Sequence, residues 1–132
     1  VKTYNYTILS AAIPAIPLIS VQRVPNQSKS TNIVNCQAIL DTGADVTLVP
    51  LPFLVALKLK AAGFGKEIAF GNKKTIAIPY QVDFSFAQHN LPNFQVFGCP
   101  MNALDELVIV GRDLLNQYRI SFDGPNLKFT IY

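Results

Sequence analysis

Ala38-Ile39-Leu40-Asp41-Thr42-Gly43-Ala44-Asp45 is the stretch on which the reading of the fold turns. Three apolar residues in a row read as the end of a buried strand, and an aspartate directly after them is a local conflict. A buried carboxylate is costly unless its charge is stabilised or it takes up a proton. The next residues suggest how the conflict is resolved. Thr42 offers a hydroxyl, Gly43 permits close backbone approach, and Ala44 leaves room for packing. Taken alone, Asp-Thr-Gly is also a common composition for a turn after a strand, so the tripeptide leaves a plain turn open beside catalysis.

Outward from Asp41, turn residues divide the chain into short β-branched and aromatic runs, the pattern of an all-β domain. Pro17 to Val24 reads as a strand, Pro25 to Thr31 as a polar loop, and Ile33 to Leu40 as the returning strand. Within the apolar segment Ile8 to Val21, Pro14 and Pro17 favour a strand entering the core over a spanning helix. Val46 to Val49 reads as a short strand ended by Pro50 and Pro52. Phe53 to Ala62 reads as a helical turn closed by Gly63 and Gly65. Lys66 to Phe70 and Thr75 to Ile78 form a hairpin around Gly71-Asn72-Lys73-Lys74. Gln81 to Phe86 and Phe94 to Gly98 form the next one, joined by residues 87–92. Leu107 to Val110 is a buried strand, and Asp113 caps a short helix from Leu114 to Tyr118. Arg119 to Phe122 and Leu127 to Ile131 make the last hairpin, around Asp123-Gly124-Pro125-Asn126.

Size and composition agree with one folded unit. The chain has 132 residues, 50% hydrophobic and 14% charged, enough for a single core and too few for two. Mean hydropathy is positive, yet Pro, Lys and Asn interrupt each apolar run well before the roughly 18 residues of a membrane span. No basic region of a signal peptide precedes Ile8. The net charge is +3, and Lys58, Lys60, Lys66, Lys73 and Lys74 gather mid-chain against Glu67 alone. Without a nucleic-acid-binding motif, this patch reads as a solvated face and nucleic acid is not an expected partner. Cys36 and Cys99 each sit among apolar residues and read as two buried free thiols. One His and two Cys without cluster spacing do not make a zinc site.

A second motif changes the weight of Asp41. Val108-Ile109-Val110-Gly111-Arg112-Asp113 is an apolar strand running into Gly-Arg, with Gly111 lying 70 positions after Asp41. By itself it is a strand-to-helix junction. In order, apolar–Asp-Thr-Gly-Ala-Asp and apolar–Gly-Arg-Asp, separated by hairpins, resemble the retropepsin family. These are the aspartic proteases of retroviruses and retroelements, with cellular and bacterial relatives. The likeness covers roughly residues 17–131 of a single domain.

The resemblance implies a retropepsin-like closed barrel of short strands with one C-terminal helix and one flap hairpin, working as a homodimer. It implies that Asp41 is the catalytic aspartate and that the Thr42 hydroxyl bonds across to the other subunit. Gly43 would accept from peptide substrate, with Ala44 supporting the loop. Asp45 would hold substrate backbone and pair with Arg112, and breaking that pair would cost a few kcal/mol if the site is buried. Val46 and Ile109 would line pockets, and the hairpin Lys66 to Ile78, with Gly71 near its tip, would be the lid. The tip departs from glycine-rich viral lids, having Asn72, Lys73 and Lys74 after Gly71. The loop Pro100 to Glu106 is longer than in compact viral enzymes. The implied substrate is a peptide or polyprotein, with no cofactor and no metal. The implied setting is soluble, cytoplasmic or within a viral or retroelement particle. Val1 in place of Met fits excision from a longer precursor. The competing expectation is a retropepsin-like module that dimerises or binds peptides with little or no proteolysis.

Overall fold

A ring of hydrogen-bonded strands surrounds the core. The structure is a computed structural model that describes residues 1–12, 16–25, 34–70, 72–100 and 106–132. Its elements are β1 (Lys2–Asn5), β2 (Leu18–Pro25), β3 (Val34–Leu40), β4 (Leu48–Pro50), α1 (Leu51–Ala56), β5 (Lys66–Phe70) and β6 (Lys73–Phe86). β7 (His89–Cys99), β8 (Val108–Val110), α2 (Arg112–Leu115), β9 (Ile120–Asp123) and β10 (Lys128–Ile131) follow. The main sheet runs β2-β3-β8-β4-β7-β6-β5, and β2 also pairs with β6, closing the ring. A second sheet, β1-β10-β9, lies at the chain's two ends.

Alternation along β6 builds much of the interior. Tyr80, Val82, Phe84 and Phe86 are buried, while Gln81, Asp83 and Ser85 between them are half-buried, the two-residue period of a strand with one face inward. They join Leu40, Val96, Val108, Val110, Leu114 and Phe129 in one apolar cluster. The final strands contribute directly: Phe129 is fully buried and stacks on Tyr4, with ring centroids 5.2 Å apart.

Several expected boundaries change. The strands expected at Thr75–Ile78 and Gln81–Phe86 are one 14-residue strand, β6, whose first part pairs with β5 and whose remainder pairs with β7. Pro79 does not interrupt it. The Pro79 carbonyl accepts from Ala62 N–H at 2.8 Å, on the side away from β7, so its nitrogen also faces away and no ladder bond is lost. The loop expected at 87–92 shrinks to a two-residue turn, Ala87-Gln88, both with positive φ (50° and 68°). Such turns favour Asn-Gly, so this one carries no sequence signal. Pro50 ends β4 as expected, and together with Pro52 it also begins a helix. Pro50 is the N-cap of α1 and Pro52 lies in its first turn, where a missing N–H costs nothing; the helix spans Leu51–Ala56, with Leu57 as its C-cap, instead of Phe53 to Ala62.

The first strand, β1, was not expected at all; it exists because β10 offers it an antiparallel partner. The strand expected at Val46–Val49 begins at Leu48, and α2 spans Arg112–Leu115 in place of Leu114–Tyr118. Residues 13–15, residues 26–33 (most of the expected polar loop and the start of the returning strand), Gly71 and residues 101–105 lie outside the described residues. Neither cysteine is in a disulfide. Cys99 is fully buried, which pushes its thiol up to about 11, whereas Cys36 is only half-buried, short of the expected burial. No helix among the described residues is long and apolar enough to cross a membrane.

Candidate active site

The loop carrying Asp41 joins β3 to β4, and β8 is inserted between those two strands. β8 runs parallel to β3, with Leu40 opposite Val110, and antiparallel to β4, with Leu48 opposite Ile109. Asp41 therefore leaves a strand whose neighbour ends at Gly111. The Asp41 N–H donates to the Val110 carbonyl at 3.0 Å, tying the start of the loop to the end of β8. The Asp41 carbonyl accepts from Ala44 N–H at 3.2 Å, and its carboxylate Oδ1 accepts from Gly43 N–H at 2.8 Å. The carboxylate is thus oriented by its own loop and stays half-buried. A Cβ at Gly43 would lie 3.1 Å from that same Oδ1, so a side chain there would crowd it.

Contacts from α2 hold the far side of the loop. Arg112 N–H donates to the Ala44 carbonyl at 2.8 Å, and its guanidinium Nη1 donates to the Thr42 carbonyl at 2.7 Å. Its Nη2 meets the Asp45 carboxylate. The expected cost of breaking this pair needs correcting, because the two side chains are 43% and 82% exposed. Asp45→Ala should lower stability by about 1 kcal/mol or less, since water and salt screen an exposed pair. Equal urea midpoints for wild type and variant would agree with this; a loss of several kcal/mol would contradict it.

Thr47 was missed by sequence reading and is the buried polar centre of the site. It is fully buried. Its hydroxyl donates to Asp113 Oδ1 at 2.8 Å and accepts from Gly111 N–H at 3.2 Å, while its N–H donates to Asp113 Oδ2 at 3.0 Å. This corrects the capping role expected for Asp113. The N-cap of α2 is Gly111, without a side-chain cap, and Asp113 turns its carboxylate to Thr47 while also accepting from Leu114 N–H. Thr47→Val keeps the shape but leaves the buried Gly111 N–H and the half-buried Asp113 Oδ1 each short of a partner, a loss of about 1–3 kcal/mol. Thr47→Ser should recover most of it, and urea denaturation of the two variants distinguishes hydrogen bonding from packing.

A cavity of about 600 Å³ opens beside this loop. Asp41, Gly43, Ala44, Asp45, Val46 and Ile109 all line it, so the structure gathers these six expected positions at one place. Lys66, Glu67, Ile68 and Ala69 of β5 line it too. Thr42 and Arg112 adjoin the cavity without lining it, and Gly71 lies outside the described residues. Among the described residues, no three His, Cys, Asp or Glu side chains converge as metal ligands.

The family model described as retroviral aspartyl protease matches residues 16–122, and the chain belongs to that family. Solved structures that share its fold include three retroviral or retropepsin-like proteins. EIAV protease, in complex with the inhibitor HBY-793, is 16% identical with a TM-score of 0.58, over 83% of this chain and 93% of that one. A retropepsin-like aspartic protease from Rickettsia conorii is 17% identical with a TM-score of 0.56, over 87% and 99%. The retroviral protease-like domain of Ddi1 from Leishmania major is 17% identical with a TM-score of 0.55, over 88% and 89%. No curated protein matches the chain. The retropepsin-like fold expected from the two motifs is thereby established.

Proposed function

We propose that the chain is one half of an aspartic endopeptidase, in which two copies bring their Asp41 carboxylates together about a twofold axis. The observation that carries this reading is the Asp41 carboxylate itself, oriented by Gly43 N–H at the edge of a 600 Å³ cavity. The sequence contains one Asp-Thr-Gly, so a second chain is the direct source of the second carboxylate. Like charges a few ångströms apart resist joint ionisation, so the pair shares one proton. The ionised member takes a proton from water as that water attacks the scissile carbonyl. The protonated member polarises the carbonyl oxygen and then supplies a proton to the leaving nitrogen. In this reading the peptide lies extended between the active-site loop and the β5–β6 hairpin, which serves as the lid. Val46, Leu48, Ile68 and Ile109 offer it an apolar pocket.

Incubation with a peptide mixture between about pH 3 and pH 7, read by mass spectrometry, tests this directly. Cut products should appear within this range, because the proposed pair supplies both a base for the water and an acid for the leaving nitrogen. The rate per chain should also rise with protein concentration as dimers form. Peptide binding with no cut product at any of these pH values would favour the non-proteolytic binding module.

A further inference from the structure

We propose that Lys66 gives this cavity a subsite for an acidic side chain, so that peptides with Glu or Asp facing the start of β5 are preferred. The inference rests on the peptide-cleaving reading of the same cavity. Four charged side chains line that cavity: Asp41, Asp45, Lys66 and Glu67. Arg112 answers Asp45, and Lys74 answers Glu67, with Nζ 3.4 Å from Oε1. Among the described residues, no carboxylate lies in ion-pair reach of Lys66.

The Lys66 ammonium instead rests 4.5 Å from the centroid of the Phe97 ring. Phe97 is itself held in an apolar group with Leu48, Ala77 and Cys99. A cation on an aromatic face keeps its charge and its outward donors while its position is restricted. Its aliphatic stem covers apolar surface, so the charged end is presented at a defined place instead of sweeping through water. A carboxylate is the group that answers it. Asp41 sets the limit, because a carboxylate near it would be repelled. The preference is therefore confined to the Lys66 end and depends on position, not on total peptide charge.

The test uses peptides blocked at both ends, with a single Glu stepped through the positions around the cleaved bond and a Gln counterpart for each. At one position or its symmetric mate, kcat/KM should be about three- to fivefold higher for Glu at low salt, the size expected of a solvent-exposed charge pair. The ratio should fall as salt rises. Lys66→Gln should bring it to about one, Lys66→Glu should invert it, and Lys66→Arg should keep it. Binding of the same peptides to the Asp41→Asn protein gives a second readout, independent of catalysis. Cleavage without a Glu preference, or a preference that survives Lys66→Gln, overturns this subsite and leaves the catalytic reading intact. Lys66-dependent binding of Glu peptides without any cleavage by the wild type does the reverse. Neither cleavage nor charge-dependent binding overturns both.

Discussion

The Asp41→Asn protein is expected to fold and to lose peptide cleavage by about 10⁴-fold or more, because one copy of Asp41 serves as base and the other as acid in the proposed pair, and the substitution removes both. The fold should survive for a local reason. Asn has nearly the shape of Asp and keeps a carbonyl oxygen where Oδ1 accepts from Gly43 N–H at 2.8 Å. What it lacks is the capacity to take and return a proton. A two-chain assembly with one wild-type chain and one Asp41→Asn chain should be nearly as inactive, since a shared proton needs both carboxylates. Far-UV circular dichroism and solution mass must match the wild type for the comparison to count. Wild-type peptidase activity in a purified Asp41→Asn protein would sink the catalytic assignment.

Gly111→Ala is expected to damage both stability and activity. A Cβ at Gly111 would lie 2.4 Å from the Val46 carbonyl oxygen, 2.6 Å from its carbon and 2.9 Å from the Val46 nitrogen. These are backbone atoms that cannot swing aside. The backbone conformation is not the constraint, since φ is −93°; close approach is. Relief requires β8 and α2 to move away from the loop, straining the contacts from Gly111 N–H to Thr47 and from Arg112 N–H to Ala44. Overpacking of this kind costs about 3 kcal/mol or more. The urea midpoint should fall with an unchanged slope. A displacement near 1 Å at the reacting group lowers rate by about 10²-fold, so activity should fall even where the variant stays folded. Gly124→Ala is the natural comparison, because nothing lies within 4 Å of a Cβ there. If Gly111→Ala were as stable as Gly124→Ala, the close packing of Gly111 on Val46 would be wrong.

The parts of the site legible in the sequence were those written in contiguous residues. An aspartate after Ala38-Ile39-Leu40 declares its own conflict, and Gly111-Arg112 after an apolar strand declares a junction. Thr47 and Asp113 carry no such mark. They are 66 positions apart, and an aspartate at a helix start already has a local explanation as a cap. Only the crossing of β8 between β3 and β4 reveals that this carboxylate turns inward instead. The fold class was likewise legible from short β-branched and aromatic runs between turn residues and from the ordered pair of motifs, but strand lengths were not. Pro79 reads as a break until its nitrogen is seen to face away from β7, and Ala87-Gln88 adopts a left-handed turn that its residue types do not announce. Lys66 was read as one of several solvated lysines, since nothing local places it over Phe97.

The insertion of β8 between β3 and β4 also sets the order in which the site comes into being. Asp41 and both strands that flank it are synthesised early, yet the strand that separates and aligns them arrives only after β5, β6 and β7 have been made. Closing that long loop costs chain entropy before any contact repays it, which slows folding. Until residues 108–112 dock, the Asp41 loop lacks the Val110 and Arg112 contacts that shape it. In the proposed enzyme the Asp41 loop therefore takes its shape only once residues 108–112 have been made and docked, a step that comes before any second chain can complete the pair.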